Sequence, residues 1–227
     1  MRYIDKFNKK EREQLKRVTV VAFDLVNTLV ELARINPLFE IKKEFKIPGE
    51  NEEFIKKFEN AIMKEEFKSS ESLFNTFCNF FNIPVTKEKI GRMVEIWDLG
   101  LENITVFPEV PCVLEELKKS KQLALLTNID SCSYKSIMKK FELGKYFDLL
   151  LPSYEVHHLK PSPMIFSKVM LSLGKSPLDT LMVGDSIRTD IIMPKKLEMN
   201  TILLDRKLEN EEMPSIQNLT ELLELVY

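Results

Sequence analysis

Val18-Thr19-Val20-Val21-Ala22-Phe23-Asp24-Leu25-Val26-Asn27-Thr28 is the stretch whose reading decides the fold. An almost uninterrupted apolar run, rich in β-branched residues, ends at a carboxylate. A strand buried on both faces reads as a continuous apolar run, not as an alternating one. The texture returns at 122–127, 147–151, 180–183 and 200–204, as in Leu123-Ala124-Leu125-Leu126 and Leu149-Leu150-Leu151. Between these candidate strands, helical periodicity runs over 109–119, 131–141, 162–173, 188–198 and 217–225. Ser162-Pro163 marks one helix start, because proline is tolerated in the first turn. Strands alternating with helices predict an α/β domain around a parallel sheet.

Between 32 and 104 only the helical period remains. Phe54, Phe58 and Ile62 recur every fourth residue, as do Leu73, Phe77 and Phe81, the pattern of amphipathic helices packed on one another. Breaks fall at Ile47-Pro48-Gly49, Ser69-Ser70 and Ile83-Pro84. Nine of the fifteen phenylalanines lie in this insertion, enough for a core of its own. The expected organisation is a charged N-terminal extension over 1–17, an α/β core formed by 18–31 and 105–227, and an all-α insertion over 32–104.

Charge is dense but balanced, with 33 basic and 35 acidic residues and a net charge of -2. No basic stripe suggests nucleic acid, and no apolar run approaches the roughly 18 residues of a membrane span. Cys78, Cys112 and Cys132 are odd in number and lack metal-ligand spacing. With no signal-like apolar stretch near the start, the expectation is a reduced, cytoplasmic protein, monomeric or homodimeric, acting on a small molecule.

Open α/β sheets place ligands at the carboxyl ends of their strands, and four fragments fall there. They are Asp24–Thr28, Leu126-Thr127-Asn128, Leu159-Lys160-Pro161, and Val183-Gly184-Asp185 followed by Asp190. Alone, each has a plain reading: a helix cap, a turn, a solvated loop lysine, a surface aspartate. In this order, at strand ends, they resemble the haloacid dehalogenase superfamily of hydrolases. The resemblance implies a Rossmann-like three-layer core, with the 32–104 insertion as a helical cap over the site. It also implies Asp24 as a nucleophile that takes a phosphoryl group from a small phosphorylated substrate, with Thr127 and Lys160 as catalytic partners. Thr28, Asn128 and the backbone around Asn27 would line phosphate oxygens. Mg²⁺ would be held by Asp24, the Val26 carbonyl, Asp185 and Asp190. Asn27 stands where relatives often carry glycine, and asparagine tolerates the left-handed backbone such a turn needs.

Val26 departs from the pattern. Phosphatases of the superfamily carry a second aspartate there, a general acid for the leaving oxygen and then a base for water. Such proton transfer contributes about 10²–10⁴-fold. Halides, acyl phosphates and aryl phosphates would lose least without it, so a 2-haloacid dehalogenase and a degenerate binding module stay open as alternatives. Asp185 and Asp190 speak against the metal-independent dehalogenases. Arg34 and Arg92, the arginines of the insertion, stand away from the expected carboxylate-binding place. His157 and His158 offer a replacement proton donor, although an ordinary loop pair is the commoner meaning of such residues.

Overall fold

The computed structural model describes residues 3–32, 36–210 and 212–227, so Arg34 lies outside the described residues. The opening stretch forms β1 (Val20–Phe23), every residue of it buried. A two-stranded antiparallel ribbon follows from β2 (Val30–Glu31) and β3 (Thr105–Val106), which brackets the insertion. The remaining strands are β4 (Gln122–Thr127), β5 (Leu149–Pro152), β6 (Thr180–Gly184), β7 (Asn200–Leu204) and β8 (Ser215–Ile216).

With β1 they form one parallel six-stranded sheet in the order β5-β4-β1-β6-β7-β8. β1 is flanked by β4 and β6, with Val20 opposite both Gln122 and Thr180. The chain runs outward from β1 through β4 and β5, then returns to β6 on the other side. That reversal opens a crevice at the carboxyl ends of these strands.

Residue parity along each strand divides the sheet's two faces. Val21, Phe23, Leu123, Leu125, Leu181 and Val183 join one buried cluster, and Val20, Ala22, Ala124, Leu126 and Met182 join another. Helices α6 (Val110–Lys118), α7 (Ser131–Phe141) and α11 (Thr220–Val226) cover the first face. The second is covered by α9 (Pro163–Leu173), through Ile165, Phe166 and Val169, and by the short α10 (Ile192–Lys196) through Met193. A single turn, α8 (Ser153–Val156), follows β5. The result is a parallel α/β sheet, as the alternating texture predicts, in the three-layer, Rossmann-like arrangement that the resemblance implies. Ser162 caps α9 by accepting from the Met164 amide, with Pro163 in the first turn.

The insertion folds into α2 (Pro37–Glu44), α3 (Asn51–Ile62), α4 (Ser70–Phe80) and α5 (Lys87–Glu102), with breaks at the expected places. Phe54, Phe58, Phe74, Phe77 and Trp97 form a buried aromatic cluster separate from the sheet's cores. Phe77 meets four rings, Phe54, Phe58, Phe74 and Phe81, at centroid distances from 4.6 to 6.5 Å. Phe80, by contrast, is exposed.

The N-terminal segment is more than a charged extension. A 3₁₀ turn at Tyr3–Lys6 and helix α1 (Lys9–Leu15) carry Ile4, Phe7 and Leu15 into the main core. Arg12 donates to the carbonyls of Ile4 and Phe7, and Gln14 to that of Leu178. No helix among the described residues is long and apolar enough to cross a membrane.

Candidate active site

β1 ends by delivering Asp24 to the crevice, and the Asp24 amide still donates to Val183 of β6. The chain then turns sharply. Asn27 adopts φ 59°, the left-handed conformation that asparagine tolerates, and its amide donates to the Val30 carbonyl at 2.7 Å. Thr28 is buried and its hydroxyl has no hydrogen-bond partner among the described residues. The same holds for Thr127 at the end of β4. Thr28 lies in the turn and Thr127 ends the neighbouring strand, so both hydroxyls are available to a group bound there.

Lys160 is the electrostatic hub. Its ammonium lies 2.7 Å from Asp24 Oδ1 and 2.6 Å from Asp190 Oδ1, and the side chain is 2% exposed. Burial disfavours its charge, but Asp190 and Asp24 more than offset that and hold its pKa above the ordinary lysine range. Asn128 fixes the lysine from behind. Its Oδ1 accepts from the Lys160 amide at 2.7 Å and its Nδ2 donates to the Lys160 carbonyl at 2.9 Å. The amide expected to line phosphate oxygens is thus engaged on both sides with the lysine's backbone.

The loop after β6 supplies two more carboxylates. Asp190 sits in a short π-helical turn, Ile187–Ile191, and accepts from the Ser186 amide at 3.1 Å. A Cβ on Gly184 would overlap the Asp190 carboxylate, which explains glycine at that position. Asp24, Asp185 and Asp190 each offer a carboxylate oxygen within 4.8 Å of the others. Three carboxylates against one ammonium leave two negative charges uncompensated in a buried site. Burial raises the Asp24 carboxyl to about 7, Lys160 opposes that shift, and the charges of Asp190 and Asp185 add to it. Burial, reinforced by Asp190, also raises Asp185 to about 6. An all-oxygen donor set with this charge excess fits a hard divalent cation.

Arg206, just past β7, holds the turn and had no sequence signature. It donates to the carbonyls of Asn27 (3.3 Å) and Thr28 (2.8 Å), pairs with Glu109 at 2.7 Å, and stacks 3.4 Å above the Phe107 ring. Only the packed structure brings these elements together. The two histidines, offered by the sequence as proton donors, lie apart from this cluster. Both are exposed and neither lines the cleft around Asp24. His157 Nδ1 lies 2.8 Å from the Lys64 carbonyl, joining its loop to the helical insertion.

The insertion is bonded to the core and shares in the lining of the cleft. Trp97 Nε1 donates to Ser133 Oγ at 2.9 Å, the Phe67 amide to Ser131 Oγ at 2.8 Å, and Ser153 Oγ to the Met63 carbonyl at 2.6 Å. Beneath it lies a cleft of about 380 Å³, lined by Asp24, Val26, Asn27, Asn128, Lys160 and Asp185 from the core.

Residues 18–197 match the haloacid dehalogenase-like hydrolase family model. The chain belongs to that family. It is 30% identical over 195 residues to N-acylneuraminate-9-phosphatase of Rattus norvegicus, an alignment covering 78% of each chain. The fold is similar to that of a phosphatase from Thermococcus onnurineus, with a TM-score of 0.64 at 23% identity over 92% of this chain and 98% of that one. It is also similar to a family enzyme of Bacteroides thetaiotaomicron in complex with magnesium and inorganic phosphate. There the TM-score is 0.62 at 18% identity over 86% of this chain and 98% of the other.

Proposed function

We propose that this chain is a Mg²⁺-dependent phosphatase of small phosphorylated metabolites, working through a phosphorylated Asp24. The observation that carries the reading is the cluster of buried Asp24 and Asp190 and half-buried Asp185 around Lys160, an anionic excess built where β1 and β6 end. Asp24, Asp185, Asp190 and the Val26 carbonyl would hold the cation, which would offset the repulsion between a carboxylate and an approaching phosphate. Asp24 attacks phosphorus and forms the aspartyl phosphate that water later hydrolyses. Lys160 holds positive charge beside the transferring group, and the unpaired hydroxyls of Thr127 and Thr28 donate to its oxygens. Asn128 and Arg206 act on the reaction by positioning Lys160 and the 26–28 turn.

In this reading residues 32–104 form a helical cap of the kind many family members carry, on a core of 18–31 and 105–227. The similarity to phosphatases, including one acting on N-acylneuraminate 9-phosphate by its name, supports phosphate esters over halides. So does the pattern of Gly184-Asp185 followed by Asp190, which the resemblance associates with the metal-dependent members. Phosphate release from a panel of phosphorylated compounds, with and without Mg²⁺, tests the proposal. The expected result is turnover that requires Mg²⁺ and disappears in Asp24→Asn. Activity indifferent to a chelator and to that substitution would refute it.

A further inference from the structure

The cleft carries information about the leaving group as well as the phosphate. Its roughly 380 Å³ falls within the usual range of small-molecule sites, and most of its wall beyond Asp24 is hydrocarbon, including Leu38, Ile55, Phe58, Trp97, Leu101 and Ile137. Among the described residues its cations are Lys160 and Arg188. Lys160 is held by Asp24 and Asp190, and Arg188 Nη2 lies 3.4 Å from Glu59 Oε2 across the cap-to-core gap. Glu59 and the buried Asp130 add further negative charge to the lining. A carboxylate or second phosphate on the substrate would enter an apolar, acid-flanked space with no unpaired described cation to receive it. Burying such an anion unpaired is strongly unfavourable.

Val26 supplies the second, independent constraint. It lines the same cleft from the position of the family's proton donor and has no proton to give. Leaving oxygens that need protonation, such as alkoxides, are therefore disfavoured.

We propose, resting on the phosphatase reading, that the substrates are aryl phosphates: monophosphate esters of a phenol-type alcohol with an apolar body and no second anionic group. The ring occupies the hydrocarbon wall. A carboxylate oxygen of Asp24 bonds to phosphorus as the bond from phosphorus to the aryl oxygen breaks. The bonding pair leaves on the aryloxide, which takes its proton from solvent water. A water molecule then cleaves the aspartyl phosphate, so each cycle consumes one water and yields one phenol and one inorganic phosphate.

The test compares kcat/KM in Mg²⁺ for phenyl, 1-naphthyl, n-hexyl, acetyl and 3-carboxyphenyl phosphates. The aryl esters are expected to exceed n-hexyl phosphate by about 10²-fold or more, the low end of what a general acid contributes. Acetyl phosphate, a good leaving group without an apolar body, is expected to show a raised KM. The carboxyphenyl ester is expected to fall about tenfold or more below phenyl phosphate, on the scale of specificity from unpaired polar groups. Val26→Asp should narrow the aryl-to-hexyl gap, and Ile55→Ser should raise KM more for the naphthyl ester than for acetyl phosphate; an equal rise for both would count against the ring lying on this wall. Equal or better turnover of n-hexyl phosphate, or preference for the carboxylate-bearing ester, overturns this inference and leaves the phosphatase reading standing. No turnover of any of the five, with or without Mg²⁺, overturns both.

Discussion

Replacing Asp24 with asparagine should change how stability depends on pH in a way the geometry makes quantitative. In the metal-free protein, burial raises the Asp24 carboxyl from 3.8 to about 7. A folded-state pKa above the unfolded one means that, below pH 3.8, the carboxyl is protonated in both states and carries no penalty. As pH rises towards 7 the unfolded chain ionises Asp24 freely while the folded chain resists, and folded stability falls. Above about 7 both states are ionised and the loss levels off. At about 1.4 kcal/mol per unit of pKa difference, the wild type loses roughly 2–3 kcal/mol to this group between pH 5 and pH 8. Asp24→Asn has no such carboxyl, so its stability relative to wild type should grow by that amount over the interval. In a chain of this size the gain corresponds to a relative rise in Tm of roughly 4–12 °C. Thermal unfolding of both proteins in EDTA, at pH 5 through 8, measures it. Saturating Mg²⁺ should close most of the gap by stabilising the wild type. A difference that does not vary with pH, or one that moves in the wild type's favour as pH rises, would show that Asp24 is not held among uncompensated carboxylates.

Three further substitutions probe the frame of the site. Lys160→Met leaves Asp24 and Asp190 buried without their counter-ion and should cost about 3–5 kcal/mol by urea unfolding in EDTA, with activity down by at least about 10²-fold; unchanged stability would show that the ammonium is not the hub. Gly184→Ala drives a methyl group into the Asp190 carboxylate and should cost about 1–3 kcal/mol, together with most Mg²⁺-dependent activity, whereas a silent change would mean that the β6 loop has room to yield. Arg206→Met keeps an apolar stem over Phe107 but loses the bonds to the Asn27 and Thr28 carbonyls; kcat should fall about tenfold or more with little change in KM, and a KM effect alone would count against its positioning role.

The layers of the fold were legible because their signals are local. β1 and β4 are continuous apolar runs that can only be buried on both faces, and Phe54, Phe58 and Ile62 recur at the helical period. Asp24 and Asp185 were legible as residues that directly follow β1 and β6, while Lys160 and Asp190 lie further along the segments after β5 and β6, and the sheet's reversal beside β1 is what brings the four together. Contacts between distant segments left no local trace. Ile4, Phe7 and Leu15 are spaced irregularly among charged residues, and the 3₁₀ turn and α1 pack near the opposite end of the chain, against β8 and α11. Arg206 reads as one more surface arginine until β7 sets it over the 26–28 turn. The histidines showed the converse, residues suggestive by chemistry and by nearness in sequence to Lys160 that the left-handed turn at His157 sets outside the cleft. The apolar character of the cleft was equally hidden, since its wall is shared among α2, α3, α5 and α7.

In the proposed reaction Asp24 takes the phosphoryl group itself. With valine at position 26, no side chain there activates the water that must clear the aspartyl phosphate, so that intermediate should accumulate when the first step is fast. Acid-quenched protein taken during Mg²⁺-supported turnover of phenyl phosphate, analysed by intact mass and peptide mapping, reads this directly. A single phosphoryl group per chain is expected, located on Asp24 and absent from Asp24→Asn. Sustained turnover with no adduct, or an adduct on any other residue, would contradict it.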